Sequence, residues 1–197
     1  MENITNNYAE LSGIIKEAPC ISHTNRGETF YIVPISVLRL SGTADTINVI
    51  VREKLLPPDL EPGTHIHVFG QLRSFNNKTE NGAKLIISVF AREFIPEYSE
   101  SRNDILLKGT ICKKPNFRKT PLGREICDFM LAVNRKYNRS DYIPCIAWGI
   151  KAREISQFEV GAAIILSGRI QSRTYIKIID NQPMEKTAYE VSVIEYE

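Results

Sequence analysis

Along residues 125–135 the side chains alternate: Cys127, Phe129, Leu131 and Val133 fall on one side, and Asp128, Met130, Ala132 and Asn134 on the other. A period of two is the signature of a half-buried strand. The same reading predicts strands at about 104–112, 125–135, 141–148, 162–175 and 188–195, and earlier ones at about 8–16, 28–39, 45–52, 64–75 and 83–92. Between the third and fourth strands of the later set lies GIKAREISQFEVG, the best helix candidate, with Ile150, Ile155 and Phe158 as its apolar side. The matching slot of the earlier set reads EKLLPPDLEPG. Pro57 and Pro58 remove amide donors and clash with the preceding turn, so no long helix is expected there.

The two sets are copies of one pattern. Leu11, Gly13 and Pro19 recur as Leu107, Gly109 and Pro115, an offset of 96 that also carries Thr24, Gly27, Val37, Asp45, Ile47 and Ile50 onto Thr120, Gly123, Val133, Asp141, Ile143 and Ile146. Further on the offset is 98: Gly63, Ile66, Gly70, Leu72 and Ser74 fall on Gly161, Ile164, Gly168, Ile170 and Ser172. Order and near-constant spacing make this an internal duplication. The polar stretch IPEYSESRND (95–104) reads as the linker, giving domains at 1–97 and 103–197. Five strands with a helix between the third and fourth is the order of the oligonucleotide/oligosaccharide-binding (OB) barrel. The expected fold is therefore all-β: two tandem five-stranded OB-fold barrels, the second carrying the helix. Each is small, so mutual packing or oligomerisation would help bury its surface.

Candidate chemistry lies on the outer wall of the second barrel. Tyr142, Ile146 and Trp148 share parity on its third strand, opposite Ile143, Cys145 and Ala147; at roughly 3.3 Å per residue the two rings stand about 20 Å apart. Arg169, Gln171, Arg173 and Tyr175 share a face of the fourth strand, and Tyr137 sits in the hairpin NRKYNRSD among Arg135, Lys136 and Arg139. Interleaved aromatic and basic side chains meet the needs of a single nucleic-acid strand: bases stack on rings for roughly 1–3 kcal/mol each, and phosphates call for a cationic groove.

Charge sharpens the picture. The net charge of +2 hides a division: residues 1–100 carry 9 Lys+Arg against 12 Asp+Glu, and residues 101–197 carry 16 against 11. Only the second half is suited to a polyanion. With 43% hydrophobic and 24% charged residues the chain is expected to fold. Its apolar runs, such as Ala162–Leu166, are far shorter than the roughly 20 residues of a spanning helix, and MENITNNYAE resembles neither a signal nor a transit peptide. A cytoplasmic, nucleoid-associated protein without membrane contact is expected. Cys20, Cys112, Cys127 and Cys145 form no C-x-x-C pair and read as plain core or loop thiols.

The segments LKGTICKKP, FMLAVNRKY, YIPCIAWG and GRIQSRTY resemble those of the bacterial single-stranded DNA-binding protein family, over almost all of 104–195. The resemblance implies that Tyr137, Tyr142, Trp148 and Tyr175 stack with bases and that Arg173 is a basic contact on strand four. Lys108, Arg169 and the hairpin cations Arg135, Lys136 and Arg139 complete the expected DNA-binding set. In the first barrel the aromatic positions become Ser41, Thr46, Arg52 and Asn77. That half reads as a degenerate copy that mainly supports assembly, touching DNA through Arg52, Arg73 or Phe75. The family implies four barrels around the DNA, hence a homodimer of this chain. From YEVSVIEYE, no acidic recruiting tail of the family's kind is expected.

Two other classes compete. An enzyme would need a motif such as G-x-x-x-x-G-K-[ST], H-E-x-x-H or G-x-S-x-G, and none is present. His65 and His67 share a strand face but lack a third metal ligand, so neither catalysis nor a cofactor is expected. The alternative is a primosome-type protein-interaction barrel with weak nucleic-acid binding. RNA in place of DNA is a third reading, because stacking and charge do not distinguish the sugars.

Overall fold

Each alternating half closes on itself. The structure, a computed structural model, describes residues 5–79, 82–179 and 182–197. In the N-terminal half β1 (Asn7–Ile15), β3 (Glu28–Leu38), β4 (Ala44–Arg52), β6 (Gly82–Ile95) and β5 (His65–Thr79) are hydrogen-bonded in that spatial order, and β5 returns to β1. The β4–β6 contact is parallel and the others antiparallel. The C-terminal half repeats this with β7 (Asn103–Ile111), β9 (Glu125–Arg135), β10 (Arg139–Trp148), β12 (Gln182–Tyr196) and β11 (Ala163–Ile179). Both are five-stranded OB barrels. Inward residues of every strand are sealed, among them Leu11, Val33, Ile47 and Val68 in one barrel and Leu107, Leu131, Ile143 and Leu166 in the other.

Several sequence expectations need correction. Two short strands, β2 (Cys20–Asn25) and β8 (Asn116–Lys119), extend each barrel as flaps on β3 and β9. Both are almost wholly exposed and carry no apolar alternation to announce them. Helix α1 spans only Ile150–Ile155. It buries Ala152 and Ile155, whereas Ile150 is 72% exposed, because a single turn and a half presents just two positions to the core. The equivalent slot in the first barrel is a 3-10 turn, Glu53–Leu55. Ile146 has outward parity yet is buried, since β10 is paired there on both sides, with Asp128 of β9 and Ser192 of β12.

The repeated glycines are explained by close approach. A Cβ on Gly109 would lie 2.5 Å from the Ala132 carbonyl oxygen, where β7 passes from β11 to β9 as the barrel closes. Gly13 faces the same obstruction from the Ser36 carbonyl in the first barrel. Gly109→Ala is expected to cost roughly 1–3 kcal/mol of unfolding free energy, toward the upper end because the obstructing atoms are backbone. Urea denaturation measures this; a loss under about 0.5 kcal/mol, the range of an ordinary surface change, contradicts the closure argument.

The barrels join along their first strands. β1 and β7 pair antiparallel, with Asn7 opposite Leu107, Ala9 opposite Ile105 and Leu11 opposite Asn103. The offset of 96 maps residue 9 onto 105, so a pseudo-twofold axis passes between Ala9 and Ile105. Contacts repeat about it. The Asn7 Nδ2 donates to the Leu72 carbonyl and the Leu72 amide to Asn7 Oδ1, each at 2.8 Å. Asn103 does the same with Ile170, at 2.8 and 2.9 Å.

A second pair of contacts crosses between the barrels. Beyond the closed part of each barrel the long hairpins, β5–β6 and β11–β12, reach onto the other barrel's third main strand. Asp45 on β4 is fully buried and accepts from the Ser172 amide at 2.7 Å, the Ser172 hydroxyl at 2.6 Å and Arg39 twice at 2.6 Å. Asp141 on β10 accepts from the Ser74 amide at 2.8 Å and Arg73 at 3.1 Å, with the Arg135 Nε 3.2 Å away. Burial alone would raise the Asp45 carboxyl, but Arg39 and Ser172 outweigh it and hold the group below its ordinary range. Asp45 and Asp141 are thus each matched by a donor from the opposite barrel.

Candidate nucleic-acid interface

Strand β10 carries the centre of the site. Its inward residues Ile143, Cys145 and Ala147 are buried, while Tyr142 and Trp148 on the opposite face are 46% and 38% exposed. Neither ring belongs to the hydrophobic core. The Trp148 indole donates from Nε1 to the Ser192 hydroxyl at 3.2 Å, fixing one edge of the ring. Ser192 is in turn the register partner of Arg169, so a cation, a hydroxyl and an indole form a row across β11, β12 and β10. After Trp148 the chain leaves the strand at Gly149, with φ of 59°, and enters α1.

The hairpin between β9 and β10 presents Tyr137, 91% exposed and with a positive φ of 64°. Lys108, Lys136, Arg139 and Arg169 are all exposed and, among the described residues, form no ion pair. Arg135, half-buried, faces Asp141 of the same barrel at 3.2 Å, beside the barrel–barrel contact. Arg73 is likewise turned inward, to Asp141 and Gln71, and burial foremost, with Arg135 and Arg92, lowers its affinity for its proton.

Tyr175 and Arg173 lie apart from this group. They follow Ser172 on the β11–β12 hairpin, which rests against β4 of the first barrel: Ser172 bonds Asp45, and the Tyr189 hydroxyl, from the residue paired with Ser172, donates to the Thr46 carbonyl at 2.7 Å. Arg173 reaches Glu190 at 3.5 Å, and its guanidinium stands 5.8 Å from the centre of the Tyr175 ring. The expected aromatic set is therefore split into Tyr137, Tyr142 and Trp148 on β10 and the hairpin before it, and Tyr175 with Arg173 on an arm laid over the other barrel. Parity along a strand placed each side chain on its face; which barrel the hairpin leans on needed long-range contacts.

On the first barrel the corresponding positions are non-aromatic. Ser41 and Asn77 are exposed, Thr46 accepts from Lys16 at 3.1 Å, and Arg52 stands 5.4 Å over the Phe90 ring while facing Glu28 at 3.6 Å. Exposed aromatic surface is still present there in Phe75, 64% exposed, on the hairpin that meets β10.

The other candidate chemistry is absorbed by structure. His67 faces Glu10 at 2.9 Å and Glu97 at 3.2 Å, and His65 packs edge-on against Tyr98. No group of three metal-ligating side chains occurs among the described residues. All four thiols are free. Burial raises Cys112, carries Cys127 to about 11 and raises Cys145 further, which leaves them protonated and inert near neutrality. No described helix is long and apolar enough to cross a membrane.

Two closed barrels joined through their first strands, with exposed rings and cations on the second, define a tandem OB-fold protein. Residues 102–197, just under half of the chain, match the model of the Single-strand binding protein family. It is 34% identical over 91 residues to the single-stranded DNA-binding protein 1 of Lactococcus lactis, covering 43% of this chain and 58% of that protein. Over 80 residues it is 34% identical to the single-stranded DNA-binding protein A of Bacillus subtilis, covering 37% and 46%. The chain thus spans about half the length of the curated relatives it matches. The crystal structure of the wild-type single-stranded DNA binding protein from Thermus aquaticus superposes with a TM-score of 0.78 at 21% identity, covering 97% of this chain and 91% of the other. That likeness extends the tandem fold over both halves.

Proposed function

We propose that this protein binds single-stranded DNA without sequence preference and serves replication, recombination or repair in the cytoplasm, in association with the nucleoid. Bases leave one another to stack on Tyr137, Tyr142 and Trp148, and on Tyr175 across the hairpin arm. Lys108, Lys136, Arg139, Arg169 and Arg173 hold the phosphates. The observation that carries this reading is the pair Tyr142 and Trp148, exposed on one face of β10 although the opposite face of the strand already supplies its apolar contacts. The N-terminal barrel mainly supports assembly, and two chains together would offer four barrels. The protein acts by binding, with no catalytic step.

Because Trp148 is the only tryptophan, its fluorescence reports on the site directly. Titration with poly(dT) is expected to quench it strongly. The binding constant should fall with added salt by about 0.7 log units per log unit of salt for each phosphate neutralised. Unchanged emission at micromolar protein would favour the protein-interaction barrel instead.

A further inference from the structure

We propose that the DNA site of the C-terminal barrel is composite: Phe75, from the hairpin of the N-terminal barrel, is a further base-stacking residue beside Tyr142. The inference rests on the single-strand reading above and adds a residue from the half otherwise described as degenerate.

The placement follows from contacts at one point. Past Gly70, β5 has left β1, and its free edge turns toward the second barrel. The Leu72 amide is taken by Asn7 and the Ser74 amide by Asp141. The Ser74 hydroxyl then accepts from the Tyr142 amide at 2.7 Å. Ser74 is thereby held to β10 by two hydrogen bonds to consecutive residues, and Arg73 adds a third contact to Asp141 at 3.1 Å. Phe75 is the next residue, 64% exposed and outside the hydrophobic core. A large apolar ring held in solvent by a rigid, doubly bonded neighbour has no structural work to do where it stands. Tyr142, one step from the same anchor, is exposed too.

The pseudo-twofold axis shows what is particular to this position. The offset of 98 maps Ser74 onto Ser172 and Phe75 onto Arg173, and the offset of 96 maps Asp45 onto Asp141 and Thr46 onto Tyr142. The same joint therefore occurs twice. On one side Phe75 follows the serine that bonds Tyr142; on the other Arg173 follows the serine that bonds Asp45, the neighbour of Thr46, whose hydroxyl already accepts from Lys16. The first hairpin thus carries an exposed ring at the position where the second carries the cation Arg173 beside Tyr175. A base has a flat π-face to offer the first, and a phosphate suits the second.

The test places a reporter at the position, using the full chain. In the double variant W148F/F75W the single tryptophan stands at residue 75, and poly(dT) is expected to quench it at the stoichiometry found for Trp148 in the unaltered protein. Adding Y142A should weaken that quenching titration. In a separate variant, F75A should weaken poly(dT) binding by between about fivefold and a hundredfold, the range of one lost stacking contact. If poly(dT) quenches Trp148 in the unaltered protein but leaves the tryptophan at 75 untouched, the composite site is overturned and the single-strand reading stands. Quenching at 75 that is indifferent to Y142A also overturns it, since Phe75 would then belong to another site. If Trp148 itself fails to respond, both readings fall together.

Discussion

Replacing Asp45 with asparagine is expected to lower the free energy of unfolding by about 3 kcal/mol at pH 7, the low end of what removing one partner from a buried ion pair costs. Asp45 accepts four short hydrogen bonds, two from Arg39 and two from Ser172 of the other barrel, and its side chain has no contact with solvent. The variant would leave the Arg39 guanidinium without its counter-charge. Arg39 keeps some access to water, which is why the low end is expected. The pH dependence provides an independent check. The folded-state pKa of Asp45 is depressed, so its contribution is complete above the unfolded value of about 3.9 and disappears as pH falls through the lower folded value. The stability gap between the unaltered protein and Asp45→Asn should therefore hold constant from pH 7 down to about 5 and narrow in more acid solution. Urea denaturation at several pH values measures both. A gap that is absent at pH 7, or that widens in acid, would contradict the role given to this carboxylate.

Trp148→Ala should weaken poly(dT) binding by roughly 1–3 kcal/mol, whatever the base composition of the strand. On the affinity scale this is between about fivefold and a hundredfold. The indole is partly exposed and lies outside the core, so unfolding stability should change much less than affinity. The variant lacks the natural fluorophore, and anisotropy of a labelled oligonucleotide is the suitable readout. Comparing thymine-rich with adenine-rich strands matters as much as the size of the loss. An effect confined to one sequence would mean that the ring reads a particular base edge, and a nonspecific stacking mechanism would be wrong.

The two expectations concern different layers of the same architecture. Asp45 and Asp141 hold the hairpins against opposite barrels; Trp148 and Tyr142 stand on β10, which only the β5–β6 hairpin reaches. The joint built around Asp141 brings an arm of the first barrel to Tyr142, and the joint around Asp45 carries Arg173 and Tyr175 away from it. A substitution at either carboxylate is thus expected to disturb binding indirectly, by freeing an arm.

Much of this molecule was legible from residue order. Strict alternation in 125–135 exposed β9, and the offsets of 96 and 98 revealed two barrels and even marked Gly109, Asp141 and Ser172 before their contacts were known. The parity of Tyr142 and Trp148 on β10 was also readable, because alternation is a local property of an extended backbone. Ile146 shows where that rule stops: its parity is outward, and pairing on both sides of its strand closed it off. Flaps β2 and β8 carry no such signal, because exposed strands bury no apolar face. The residue pattern by itself determined the two barrels, their cores and the outward rings, all consequences of hydrophobic periodicity along single strands. Only the tertiary structure decided that each hairpin rests on the opposite barrel, bonding Ser74 to Tyr142 and Ser172 to Asp45. Contacts between residues some 67 to 143 positions apart in the chain depend on how whole barrels dock, and no local periodicity encodes that.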